Sequence, residues 1–159
     1  MKIRSYDPPD QEDVVRLALR AWTPVFESIR RVMSPDVYRV FYPDGWKRSQ
    51  QKAVEEVCAA ADVHVWIAVE DGATVGFVAL KLHAENKMGE VYMVAVDPDF
   101  QGYGIGKALT AFALDWMKEA GMSVAMVETG GDPGHGPARR LYESAGFGRL
   151  EIARYFKKL

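Results

Sequence analysis

Cysteine is almost absent: Cys58 stands alone among 159 residues, so no disulfide can close within the chain. Nothing pairs with it in the spacing of a metal-ligand motif, and no metal is expected. Its neighbours Val57, Ala59 and Ala60 mark it as a small buried apolar side chain. No segment approaches the roughly 20 apolar residues that cross a bilayer, so no membrane association is expected. Residues Met1 to Asp7 hold no apolar stretch of signal-peptide type, and a cytoplasmic address is the expectation. A basic excess is missing too. The net charge of −2 argues against nucleic acid as a partner. Repeats, linkers and low-complexity tracts are also lacking, which leaves one domain over residues 1–159.

What is present is a change of period along the chain. Lys2 to Tyr6 reads as a strand stopped by Asp7-Pro8-Pro9-Asp10. Val14, Leu17, Ala18, Ala21, Trp22 and Val25 recur at helical spacing, with a break or kink at Pro24. Ser34-Pro35 opens a short helix with a capping hydroxyl, and Pro43-Asp44-Gly45 closes it. A third helical run carries Val54, Val57, Cys58 and Ala61. Strands then follow over His64–Val69 and Thr74–Leu82, joined at Asp71-Gly72, and over Gly89–Val96. A helix over Ile105–Ala120 places Ile105, Leu109, Phe112, Ala113 and Trp116 on one stripe, with Lys107, Thr110 and Lys118 opposite. Ser123–Glu128 reads as a strand and Pro137–Ala145 as a helix burying Ala138, Leu141 and Ala145. Phe147–Phe156 is β-prone. The class is mixed α/β.

The most specific signal is Gln101-Gly102-Tyr103-Gly104-Ile105-Gly106-Lys107, between a strand and a helix. Glycine lets the backbone take positive φ and approach a ligand closely. The first amides of a helix have no intrahelical partner, so this arrangement suits a phosphate or pyrophosphate. A Walker-type loop would need glycine at Gln101 and a hydroxyl at Ala108, and has neither. A dinucleotide fingerprint would need G-x-G-x-x-G in a parallel βαβ unit, whereas the glycines here alternate. A ligand-free glycine turn is the remaining alternative.

This loop resembles the signature [Arg/Gln]-x-x-Gly-x-[Gly/Ala] of the GNAT superfamily of N-acetyltransferases. The flanks Val96-Asp97-Pro98 and Arg140-Leu141-Tyr142-Glu143-Ser144-Ala145-Gly146-Phe147 are similar as well. The resemblance runs from about His64 to Phe147 and is weaker over the N-terminal helices. It implies a mostly antiparallel mixed sheet of six or seven strands flanked by about four helices. It also implies acetyl-CoA as acyl donor and a primary amine, on a small molecule or peptide, as acceptor.

By that resemblance, the pantetheine arm pairs with the backbone of Val94, Ala95 and Val96, and the Val94 amide faces the oxyanion. The pyrophosphate sits on the amides from Gly102 through Tyr103, Gly104, Ile105 and Gly106 to Lys107, with Gln101 at the loop's mouth. An amine of pKa about 10.4 needs a base. Glu90 and Glu128 both occupy positions that family members use for it, and either is otherwise a solvated strand-end carboxylate. Tyr142 occupies the place of the acid for the leaving thiolate, or packs along the channel. Where the family has an asparagine that bonds pantetheine, this chain has His135, open to cofactor contact, acid–base work or a plain loop role. Lys107, Arg139 and Arg140 either meet phosphates or form an exposed face. His64 and His83 read as structural, with His83 able to face the acceptor.

Trp22, Phe26, Tyr38, Phe41, Tyr42 and Trp46 are candidates for an acceptor pocket closed by a C-terminal strand, or equally for core. The tail after Gly146 is short for two strands, and a homodimer is expected to complete the sheet. The rival to an enzyme is an acyl-CoA-binding sensor. A second enzymatic reading is a transferase using a longer acyl donor.

Overall fold

The computed structural model describes residues 1–159. Five strands form one sheet in the order β1 (Lys2–Ser5), β2 (Val63–Glu70), β3 (Ala73–His83), β4 (Met88–Val96) and β5 (Val124–Val127). The first four pair antiparallel, and β5 lies parallel to β4. Five α-helices accompany them: α1 (Gln11–Val32), α2 (Pro35–Phe41), α3 (Trp46–Ala59), α4 (Ile105–Glu119) and α5 (Gly136–Ser144).

Each sheet face carries its own core, as strand alternation requires. Phe77, Ala79 and Ala95 pack against Val14, Leu17 and Ala18 of α1 and Val54 and Val57 of α3. Val78, Leu80 and Val91 pack on the other face against Ile105, Leu109, Ala113 and Met117 of α4. The β2–β3 turn has positive φ at both Asp71 and Gly72, as a tight hairpin of this twist demands.

Several expectations are revised. Helix α1 runs through Pro24 to Val32. Burial of Leu17 and Ala18 before the proline and of Phe26 after it offsets the missing hydrogen bond, worth ~3 kcal/mol in an exposed helix. Ser34 precedes α2 without a side-chain capping bond. Thr110 is buried, its hydroxyl donating to the Gly106 carbonyl at 2.8 Å. In α5 it is Tyr142 that is buried, while Ala145 is exposed. Cys58 is only half-buried.

The sheet has five strands, short of the six or seven expected, because residues 147–159 form no ladder. Their charges find local partners: Arg149 pairs with Glu143 and Glu151, and Arg154 with Glu128. Leu150, Ile152 and Tyr155 stay exposed. No helix is long and apolar enough to cross a membrane.

Candidate active site

Two features of β4 create a notch in the sheet. Its register with β3 slips between Ala79 and Leu80, so that Met93 faces Ala79, Val91 faces Leu80, and Tyr92 is the extra residue. Such a bulge bends a strand and re-aims its side chains. On the other edge, β5 pairs only with Met88 to Val91. From Tyr92 to Val96 that edge has no strand beside it, including Val94, Ala95 and Val96.

The glycine loop lies directly after this open stretch. Asp97 is buried, accepts the Asp99 amide at 3.0 Å, and takes two bonds from Arg20 of α1 at 2.8 and 2.6 Å. Gln101 donates to the Val96 carbonyl at 3.0 Å, so its side chain clasps the turn. Gly102 and Gly104 have φ of 86° and 85°, which side-chain-bearing residues rarely adopt. The first helical amide to find a backbone partner is that of Ala108, which donates to Gly104 at 3.0 Å. The six amides from Gly102 to Lys107 therefore have no backbone partner, and the positive end of the α4 dipole sits among them.

Two cavities take residues of this segment into their walls. One of about 450 Å³ is lined by Met1, Glu70, Asp99, Phe100, Tyr103 and Gly104. A smaller one of about 250 Å³ lies between α4 and α5, with Lys107, Ala111, Leu114, Ser144 and Ala145 in its wall. Carboxylates line the larger cavity, one of them paired with the Met1 ammonium at 2.8 Å. The loop residues Tyr103, Gly104 and Ile105 face this larger cavity, whereas the smaller one takes only Lys107 from the run of unpaired amides and carries no carboxylate.

Glu90 follows Gly89 on the α1 side of β4, diagonal to His83 on β3. The His83 Nε2 and the Glu90 Oε2 are 2.7 Å apart. Lys81, directly opposite Glu90, holds its ammonium 3.5 Å from the centre of the Tyr92 ring. Glu128, beyond the end of β5, is exposed and 3.6 Å from Arg154. The two candidate bases thus differ in setting: Glu90 is 20% exposed and paired, Glu128 is 64% exposed.

Tyr142 is 8% exposed and meets Phe147 edge-on. Burial pushes its phenol up to about 12. No buried side-chain polar atom lacks a hydrogen-bond partner, and the Tyr142 hydroxyl has none within the chain. The hydroxyl is therefore the part that opens to solvent.

His135 stands at the N-cap position of α5 without a side-chain capping bond, and its Nδ1 bonds the Asp132 carboxylate. Burial of Asp132 works against its charge, but bonds from Ser28 and His135 outweigh that and hold the carboxyl below its usual value. Arg139 donates to the Gly130 and Asp132 carbonyls at 2.5 and 2.8 Å, so it braces this loop and is not free for phosphate. Arg140 stays exposed.

Of the proposed pocket aromatics, Phe26 stacks on Trp46 at 4.5 Å and meets Tyr42 edge-on. Tyr38 and Phe41 join Tyr42, and Phe41 also meets Phe156 of the tail. Trp22 leaves this group and packs on Phe77 in the core. His64 is exposed, with its ring against Trp66 and Trp116. Ser28 and Asp132 escaped notice in the sequence. Asp132 lies three residues before His135, a local spacing that could have flagged it, whereas nothing local links Ser28 to a loop 104 residues away.

The bulged, half-open β4 and the loop of unpaired amides lie within a stretch that a family model matches. Residues 30–147 fit that of the acetyltransferase (GNAT) family. This chain belongs to the GNAT family. A mycothiol acetyltransferase of Actinosynnema mirum is 36% identical over 150 residues, 92% of this chain and 44% of that protein. The chain spans less than half the length of the curated relatives it matches. In fold, this GNAT chain is similar to the PaiA N-acetyltransferase of Thermoplasma acidophilum, solved with coenzyme A. The TM-score there is 0.70 at 19% identity, covering 96% of this chain and 92% of the other. It is also similar to the ribosomal-protein-S18-alanine N-acetyltransferase of Escherichia coli. That TM-score is 0.71 at 20% identity, with 96% and 81% covered.

Proposed function

We propose that residues 1–159 act as one GNAT domain that transfers an acetyl group from acetyl-CoA to a primary amine by direct attack. The observation that carries this is the run of unpaired amides from Gly102 to Lys107 at the end of the open edge of β4. A pyrophosphate has more acceptor oxygens than one helix end can satisfy. Six unpaired amides at the positive end of a helix dipole suit it. The backbone of Val94, Ala95 and Val96 has the free edge that an extended amide arm needs. An amide there, that of Val94, would stabilise the oxyanion at the thioester carbon. Acetyl-CoA is in this scheme a substrate, and it supplies the activated acyl group.

Glu90 is the base we assign, because it is the partly desolvated, positioned carboxylate of the two. His83 bonds one oxygen and leaves the other to accept a proton, directly or through water, from the acceptor ammonium. Tyr142 presents a neutral hydroxyl that donates a hydrogen bond to the departing sulfur. The acceptor enters from the α1 side, past the cluster of Phe26, Tyr42 and Trp46, which suits an amine with an apolar body.

The test is mass spectrometry of the purified chain with acetyl-CoA and a panel comprising spermidine, tyramine, glucosamine, deacetylated mycothiol and an alanine-terminated peptide. Acetylated product is the expected result, with Glu90→Gln lowering kcat by about 10²–10³-fold at unchanged coenzyme A affinity. Calorimetric binding of coenzyme A without any product would establish a sensor instead. No binding would remove the proposal altogether.

A further inference from the structure

The loop between β5 and α5 forms a rigid mount around one imidazole. Asp132 Oδ1 takes the His135 Nδ1, and its Oδ2 accepts the Ser28 hydroxyl at 2.5 Å and the Gly134 amide at 3.1 Å. The Gly134 amide also donates to Ser28 Oγ at 2.9 Å. Ser28 belongs to α1 and is buried, so the mount is fastened to the helix on the acceptor side of the sheet. Arg139 ties the same loop to α5 through two carbonyls.

This arrangement sets the ring's chemistry. A carboxylate on Nδ1 selects the tautomer with the proton on Nδ1, which leaves the Nε2 lone pair as the open end. Nε2 has no partner in the chain and is not sealed from solvent. Tyr142, whose hydroxyl is likewise unpartnered, follows seven residues later. His135 is the N-cap residue of α5, and Tyr142 stands about two turns into that helix. Helical side chains lean toward the N-terminus, the end of α5 at which His135 stands.

Proton accounting leaves a task open, given the acetyl-transfer reading on which this inference rests. An ammonium acceptor loses two protons. Glu90 takes the first, and the second leaves nitrogen once the N–C bond has formed. The departing sulfur needs one proton. A phenol near 12 facing a thiol near 8.5 can share a hydrogen bond, but full transfer runs uphill by about 3.5 units. An imidazole is suited to both halves of the transfer.

We propose that His135 is a catalytic residue that carries the second proton: Nε2 accepts it from the attacking nitrogen as the N–C bond forms and delivers it to sulfur as the C–S bond breaks. The ring ends neutral, as it began. Asp132 and Ser28 are positioning residues that fix its tautomer and its direction.

The test has two independent parts. Long-range ¹H–¹⁵N spectra of the histidine-labelled chain should show His135 as the Nδ1–H tautomer, and Asp132→Asn should abolish that signature. Kinetics then use the panel amine giving the highest wild-type turnover. His135→Gln should lower kcat about 10²–10³-fold and Asp132→Asn at least tenfold, with KM for acetyl-CoA and coenzyme A affinity changed less than threefold. Ser28→Ala serves as a milder variant in which the loop keeps its other bonds. Its kcat should fall severalfold in step with loss of the tautomer signal. A His135→Gln enzyme that keeps its kcat, or loses only acetyl-CoA affinity, overturns the proposal while leaving acetyl transfer intact. The same holds if the wild-type ring carries its proton on Nε2. A wild-type chain inactive with every amine sinks the transferase reading itself, whatever the tautomer.

Discussion

Gly134→Ala probes the mount where it is most constrained. A Cβ at Gly134 would lie 2.4 Å from the Ser28 Cβ, 2.9 Å from its Oγ and 3.2 Å from Asp132 Oδ2. The first of these is not the tip of a flexible chain. It is fixed to a helix whose Val14, Leu17 and Ala18 are fully buried, so the loop must yield. If the overlap is absorbed in place, overpacking costs about 1–3 kcal/mol. If the loop lifts, it loses a neutral hydrogen bond of about 1 kcal/mol and a charge-assisted one of about 1.5–3 kcal/mol. The chain takes the cheaper route, and a loss of about 2 kcal/mol is expected. For a chain of this size that lowers Tm by about 4–8 °C. Urea unfolding followed by circular dichroism measures it. Gly131→Ala is the internal control: its Cβ would meet nothing within 4 Å, and it should stay within about 0.5 kcal/mol of wild type. Ser28→Gly removes the obstructing atoms at a cost of its own, and Gly134→Ala should then add almost nothing. If Gly134→Ala and Gly131→Ala unfold at the same urea concentration, the loop is not docked on α1 and the account of His135 loses its basis.

Two further outcomes follow from the geometry. Burial raises Tyr142 to about 12 from an unfolded value near 10, so the folded state holds this proton more tightly. The resulting stability is fully present below pH 10 and is lost as pH rises from 10 through 12, amounting to about 2–3 kcal/mol. Tyr142→Phe should remove this share of the alkaline loss in urea titrations between pH 9 and 11.5, while Tyr6, also raised to about 12, retains its own. Gly104→Ala forces an alanine into φ 85° at the start of α4, with open space around its Cβ. It should cost about 1–2 kcal/mol in urea unfolding and weaken calorimetric binding of coenzyme A by about tenfold. Unchanged binding would separate the loop's conformation from the ligand.

The parts of this protein legible in the sequence are those governed by neighbours along the chain. The β-prone runs over His64–Val69 and Thr74–Leu82, the Asp71-Gly72 turn and the alternating glycines from Gly102 to Gly106 each encode their local geometry directly, because φ preference and side-chain direction act within a few residues. The family followed from the same short loop. Tertiary structure decided the rest. Burial on both sides of Pro24 carried α1 past it, and a β-prone tail paired with no strand edge. Glu90 and Glu128 looked alike until the fold set one beside His83 and left the other in solvent with Arg154. Ser28 reached the histidine loop only because α1 packs there. A hydrogen bond across 104 residues has no trace in local sequence, since it depends on where two surfaces meet and not on what either segment prefers alone.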